Sequence, residues 1–236
     1  MARDRNDWLH VFTWHQLSYG ALLATLLLLA ALHPIVEGRY VGERIHNGIV
    51  FLLLIAAAFS PVQDKRQFYI SLSFAAPALL IAPVAWYYKT DGLRVTSSVF
   101  VFLLLGYVTV AILRDVFRGG TVTFEKICGA ICGYLLIGVI WGLFYALIAS
   151  FDPHAIAVAS SVHGGEVENP EHSIFSYYSF VTLSTLGYGD MTPTSAVART
   201  FSWLEAIIGQ LYLTVLIARL VGLHIAHEMK QKTASN

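Results

Sequence analysis

Charge is scarce in this chain. Only 15 basic and 15 acidic residues occur among 236, and 13% charged is about half the share of an ordinary soluble domain, roughly 25%. The signs cancel, so no overall field points to nucleic acid or to an acidic partner. Cysteine is nearly absent. Cys128 and Cys132 sit four apart on one expected helix face, where a mutual disulfide is geometrically excluded and small packing residues are expected. Lysine and arginine are missing altogether from 127–198, although that stretch holds Asp152, Glu166, Glu168, Glu171 and Asp190. They are missing again between Arg94 and Arg114. No nucleophile is paired with a base, no metal-ligand cluster is spaced for one compact site, and no glycine loop is built to cradle phosphate, so an enzyme is not expected. The charged, mixed-sign residues Met1 to His10 lack the small-residue cleavage site of a signal peptide.

What is abundant is apolar sequence, 56% of the chain, arranged in blocks. About 20 apolar residues let a helix cross the bilayer core. Six blocks approach that length: Leu17–Val36, Gly48–Val62, Phe68–Tyr88, Val95–Ile112, Ile127–Phe151 and Ala196–Leu223. The second holds Pro61; the third holds Pro77 and Pro83, which should kink it. The expectation is therefore an all-α membrane protein with six spans. Residues 1–117 form a four-helix module, 118–126 a linker along the membrane surface, 127–223 a second module, and 224–236 a short tail with no room for a ligand-binding domain. Gly119 and Gly120 should break the fourth helix, and Thr123 should cap a short helix leading into the fifth span. Six spans put both termini on one side. Ten of the 15 basic residues then fall on the side of the termini, which places the termini in the cytoplasm.

Between the last two spans lies a different pattern. Ile174, Phe175, Tyr177, Tyr178, Phe180, Val181 and Leu183 make an apolar, aromatic run over 173–184, about 18 Å of helix and too short to cross. Ser173 is its expected N-cap. A helix that enters and stops aims its C-terminal carbonyls at the bilayer centre, a favourable place for a dehydrated cation. It leads into Thr185-Leu186-Gly187-Tyr188-Gly189-Asp190. Glycine accepts backbone angles that other residues resist, so such a segment can turn its carbonyls inward. Irregular backbone at membrane depth is tolerable only where it lines a watery path.

On these residues, Ser173 to Leu223 resembles the pore domain of tetrameric potassium channels, with leucine at 186 where the family usually has valine. The segment Gly209 to Gly222 is similar to inner helices of small bacterial members. The resemblance implies a re-entrant pore helix (173–184), a selectivity filter (185–190) and an inner helix (196–223). The carbonyls of Thr185, Leu186, Gly187 and Tyr188, the Thr185 hydroxyl and Gly189 would form the K+ sites. Tyr188 would brace the filter, Tyr177 and Tyr178 would form an aromatic cuff, and Asp190 would hold the outer end by hydrogen bonding. Val181 takes a position where some members carry a carboxylate, so none can buttress the filter from there. Gly209 falls at a common hinge position, where close helix packing is the other reading; Gln210, Leu213 and Ile217 would face the inner cavity. Arg219 would snorkel to the inner interface.

The function implied is passive K+ conduction across the cell membrane by a homotetramer, with lipid as the surrounding medium and no nucleic-acid partner or organic cofactor. Two rival readings are a subunit of an energised potassium uptake system and a non-conducting membrane sensor or scaffold. Voltage acts on a helix through its charges, about 2.3 kcal/mol per charge per 100 mV, and the fourth span carries none between Arg94 and Arg114. Voltage gating is not expected. His224 and His227, three apart near the inner end, are candidates for a proton effect on the inner mouth, with plain solvation as the alternative. Metal binding by His154, His163 and His172 is not expected from their spacing.

Overall fold

Backbone polar groups in a strongly apolar chain must find their partners within their own segment. The chain is accordingly helical. The computed structural model describes residues 19–36, 53–56, 65–88, 91–118, 123–159 and 172–234. In order these form α1 (Tyr19–Val36), α2 (Lys65–Tyr88), α3 (Asp91–Val116), α4 (Phe124–Phe151), β1 (Ile156–Val158), α5 (His172–Leu183), β2 (Met191–Pro193) and α6 (Ala196–Ala234). Of the second apolar run only 53–56 is described, as helix; Pro61 lies outside the described residues. Among the described residues, Val95–Val116, Phe124–Phe151 and Ala196–Gly222 are long and apolar enough to cross a membrane. The apolar stretches Tyr19–Ala31, Tyr69–Val84 and Ile174–Leu183 are shorter.

Several expected boundaries move. Pro77 and Pro83 lie inside one continuous α2. Thr123 does not start a separate short helix: its hydroxyl accepts the Lys126 N–H at 3.3 Å and caps α4 itself, so 124–126 are helix and not linker. α5 begins at His172 and ends at Leu183, one residue early at both ends, and the side chain of Ser173 lies outside the described residues. α6 continues to Ala234, so most of the expected tail is helical. His224 and His227 lie on that helix, with side chains outside the described set.

The chain divides into two compact units, Met1–Ile112 and Leu113–Asn236. In the first, Leu22, Leu26, Leu53, Leu54, Leu104, Leu105, Val108 and Ile112 are buried. Its helical hydroxyls turn back on their own helices: Thr25 Oγ1 donates to the Ala21 carbonyl at 2.9 Å and Thr109 Oγ1 to Leu105 at 2.7 Å. Ser71 Oγ, buried in the same unit, has no hydrogen-bond partner among the described residues.

In the second unit α5 is wedged against α4 and α6. Two glycines allow the approach. A Cβ on Gly138 would overlap the Phe180 ring, and one on Gly142 would come within 2.8 Å of the Ser176 Cα. Aromatic side chains fill the end near the start of α6: Tyr145 meets Tyr178 edge-on at 4.9 Å, and Phe144 meets Phe201 at 4.7 Å. Cys128 and Cys132 are free thiols buried in the same packing. At the opposite end Tyr212 reaches from α6 to the Ala130 carbonyl of α4 at 2.6 Å. Arg219 does more than snorkel. Its Nη2 donates to the Arg118 carbonyl at 2.7 Å, and its guanidinium sits 5.0 Å over the Phe117 ring.

Because Gly142 faces backbone that cannot rotate away, Gly142→Val should lower the thermal stability of the full chain in detergent by about 1–3 kcal/mol. A substitution at Gly106, which has open space around it, should not shift the melting curve comparably.

Candidate functional site

The site begins where α5 runs out of helix. Its last carbonyls have no intrahelical donors. The chain folds back to supply them: Ser184 N donates to Phe180 O at 3.1 Å, and Thr185 N to Thr182 O at 2.9 Å. The Val181 carbonyl then takes two backbone donors, Leu186 N at 2.9 Å and Gly187 N at 3.3 Å, with the Ser184 hydroxyl at 3.4 Å. Val181 thus supports the loop through its main chain, with its side chain buried. The N–H side of the loop is directed at the end of α5.

Thr185, Gly187 and Gly189 have φ of +59°, +57° and +78°. Leu186 and Tyr188 between them are not left-handed, so handedness alternates along five residues. Successive peptide planes in such a chain turn their carbonyls to one side and their N–H groups to the other. Glycine takes the left-handed angle at little cost at 187 and 189. Thr185 is β-branched and takes it at a cost of order 1–3 kcal/mol, which the surrounding hydrogen bonds must hold. Among the described residues no hydrogen bond ends on the carbonyls of 185 to 189. The helix dipole of α5 adds partial negative charge on the same side.

The far end of the loop is anchored twice. Asp190 accepts the Met191 N–H at 2.9 Å and the Tyr177 hydroxyl at 2.5 Å. Beyond Asp190, β2 pairs antiparallel with β1, with Ile156 opposite Pro193 and Val158 opposite Met191. Ala159 N donates to the Asp190 carbonyl at 2.8 Å, and the Thr194 hydroxyl donates to the His154 carbonyl. Ser195 caps α6 by accepting the Ala198 N–H at 3.1 Å.

Of the side chains singled out in the sequence, Tyr177 and Tyr178 separate. Tyr177 reaches Asp190, while Tyr178 is buried and shares a 2.6 Å hydrogen bond with Ser202 of α6. Leu186 and Tyr188 are 55% and 65% exposed, so within one chain Tyr188 braces nothing. Gly209 is buried where α6 crosses the end of α5, and a Cβ there would collide with the Leu183 carbonyl. The static arrangement accounts for Gly209 by close packing. Gln210 extends from the next position to donate from Nε2 to Thr185 Oγ1 at 3.2 Å. Leu213 and Ile217 are exposed further down α6. No cluster of His, Cys, Asp and Glu fit for a metal occurs among the described residues.

Sequence reading passed over Glu205. This carboxyl is fully buried between α4, α5 and α6, with Tyr145 at 2.7 Å and Ser179 at 2.5 Å. An acid inside an apolar span is itself the signal that marks it.

Residues 131–224 match the family model described as "Ion channel". That match runs from the second turn of α4 through α5 and the loop to residue 224 of α6. The matched region and the long apolar helices make the chain a multi-pass membrane protein with an ion-channel-type domain. A 58-residue segment is 35% identical to "Two-pore potassium channel 3" of Arabidopsis thaliana. It covers 24% of this chain and 13% of that relative.

The Tyr177–Asp190 bond should show as coupling between two substitutions. In a double-mutant cycle of Tyr177→Phe and Asp190→Ala, read by thermal unfolding of the full chain, the non-additive part should be about 0.5–1.5 kcal/mol. Strict additivity would mean the bond contributes nothing.

Proposed function

We propose that this chain is one subunit of a homotetrameric channel that conducts K+ passively and selectively across the cell membrane. The observation that carries this reading is the alternating backbone of 185–189, whose carbonyls meet no protein donor among the described residues. One such strand cannot surround an ion. Four around an axis would present stacked rings of oxygens that replace the water of a K+ ion. The Thr185 hydroxyl would add the innermost ring, and Gln210 would steady it. α5 would be a re-entrant helix, and α6 would line the inner path with Gln210, Leu213 and Ile217. The channel domain would occupy 127–223.

The exposed apolar side chains support a subunit assembly in lipid. Tyr188, Trp203, Ile207 and Leu211 are 65%, 54%, 47% and 57% exposed in one chain. A neighbouring subunit's α5 would give Tyr188 the brace that its own chain does not. The family match and the potassium channel relative support the same ion chemistry. The first module would complete six spans with both termini in the cytoplasm. Its fourth span has no charge between Arg94 and Arg114 on which voltage could act, so gating would come from another stimulus.

Purified protein reconstituted into liposomes should pass K+ tracer without ATP, discriminate against Na+, be blocked by barium and cross-link as a tetramer. Sodium permeating as readily as potassium, or a monomer in lipid, would overturn the reading. Bilayer recordings should show current without steep voltage activation; a conductance climbing e-fold over a few millivolts would contradict the uncharged fourth span.

A further inference from the structure

Glu205 is the one carboxyl buried completely among the described residues, and its hydrogen bonds can be counted. Its Oε2 accepts from the Tyr145 hydroxyl at 2.7 Å. Its Oε1 lies 2.5 Å from Ser179 Oγ, and Ser179 Oγ also lies 2.8 Å from the Gly138 carbonyl. A serine hydroxyl carries one proton. It can bridge to Gly138 or to Glu205, not to both. The Gly138 carbonyl can only accept. An ionised Glu205 can only accept as well, which would leave one of these two close oxygen pairs with no hydrogen between them. A proton on Oε1 resolves the count: Glu205 donates to Ser179, Ser179 donates to Gly138, and Tyr145 donates to Glu205. Every donor and acceptor is then matched.

The surroundings agree. The titratable groups facing Glu205 are Tyr145 and Tyr134 from α4 and Tyr178 from α5, none of them cationic. On α6 the nearby polar group is Ser202, occupied with Tyr178 and with the Ala198 carbonyl at 2.7 Å. A buried carboxylate without a cation is expensive, whereas a neutral acid in a complete hydrogen-bond set is not.

We infer that Glu205 is held as a neutral carboxylic acid whose proton joins α6 to α5 and α4, and that it acts as a proton-dependent positioning residue for the loop at 185–189. The link to the loop is short. Ser179 lies two residues before Val181, whose carbonyl holds the N–H groups of Leu186 and Gly187. Removing the proton sets Oε1 against Ser179 and the Gly138 carbonyl and places a charge behind α5. Loop geometry is then lost as pH rises, and is kept at lower pH. Its effect on conduction rests on the channel reading above; the protonation state itself does not.

Two measurements on the full chain in liposomes test this. Infrared difference spectra between wild type and Glu205→Gln at neutral pH should contain the C=O stretch of a protonated carboxyl, shifting on deuteration. In wild type that band should disappear at alkaline pH together with K+ tracer flux. Glutamine keeps the pattern, its amide donating to Ser179 and its oxygen accepting from Tyr145, without a proton to lose. Glu205→Gln should therefore conduct at neutral pH and retain flux under the alkaline conditions that silence wild type. Absence of the carboxyl band from the difference spectrum overturns the neutral acid. The same alkaline loss of flux in Glu205→Gln overturns its control of the loop. If wild type passes no K+ at any pH, the channel reading has failed, and the infrared band still decides the protonation of Glu205.

Discussion

Two N–H groups converge on the carbonyl of Val181, and the geometry beyond α5 depends on that convergence. A helix end offers carbonyls that nothing inside the helix can use. A loop of alternating handedness offers N–H groups on one edge. Matching the two satisfies both, and it leaves the opposite edge of the loop as bare oxygen. The polarity of the site is therefore a by-product of how the helix is terminated. No charged side chain is needed to create it. Asp190 and Tyr177 fix the far end of the loop, and the β1–β2 ribbon ties that end to the residues just after α4.

Holding α5 in place demands close packing on both sides. Gly138 and Gly142 let its backbone approach α4, and Gly209 lets the Leu183 carbonyl sit against α6. Around these contacts the polar atoms form closed sets. Tyr178 and Ser202 make one, and Tyr145, Glu205, Ser179 and the Gly138 carbonyl make another. Hydroxyls carry the polar links between helices, so the helices are registered by directional bonds without an ion pair at these points. Such sets are demanding: an incomplete one costs more than an apolar contact would.

Much of the helical framework was legible because long apolar runs declare themselves. The loop was legible because Gly-Tyr-Gly after a half-length aromatic helix has few other uses. What was not legible is instructive. Thr123 caps α4, yet its sequence points equally to a separate short helix, since where a helix starts depends on the fold around it. Gly209 can be read from sequence as a bend or as a contact, and the Leu183 carbonyl it packs against comes from 26 residues earlier. Arg219 looks like a residue reaching for water, but its partner is a main-chain oxygen 101 residues away. Glu205 was visible as a letter and silent as a role, because its partners Tyr145 and Ser179 carry no motif. Long-range hydroxyl partners have no spacing rule.

The clasp in the second half of α6 has a consequence for how this region can change over generations. Arg219 grips residue 118 by its peptide oxygen and lies over the ring of residue 117. The grip is blind to the side chain at 118. Substitutions there can accumulate without loosening the joint, while exchanging Arg219 for lysine forfeits the flat guanidinium that covers Phe117 and bonds the oxygen at once. Drift should therefore be free at one partner and closely policed at the other two.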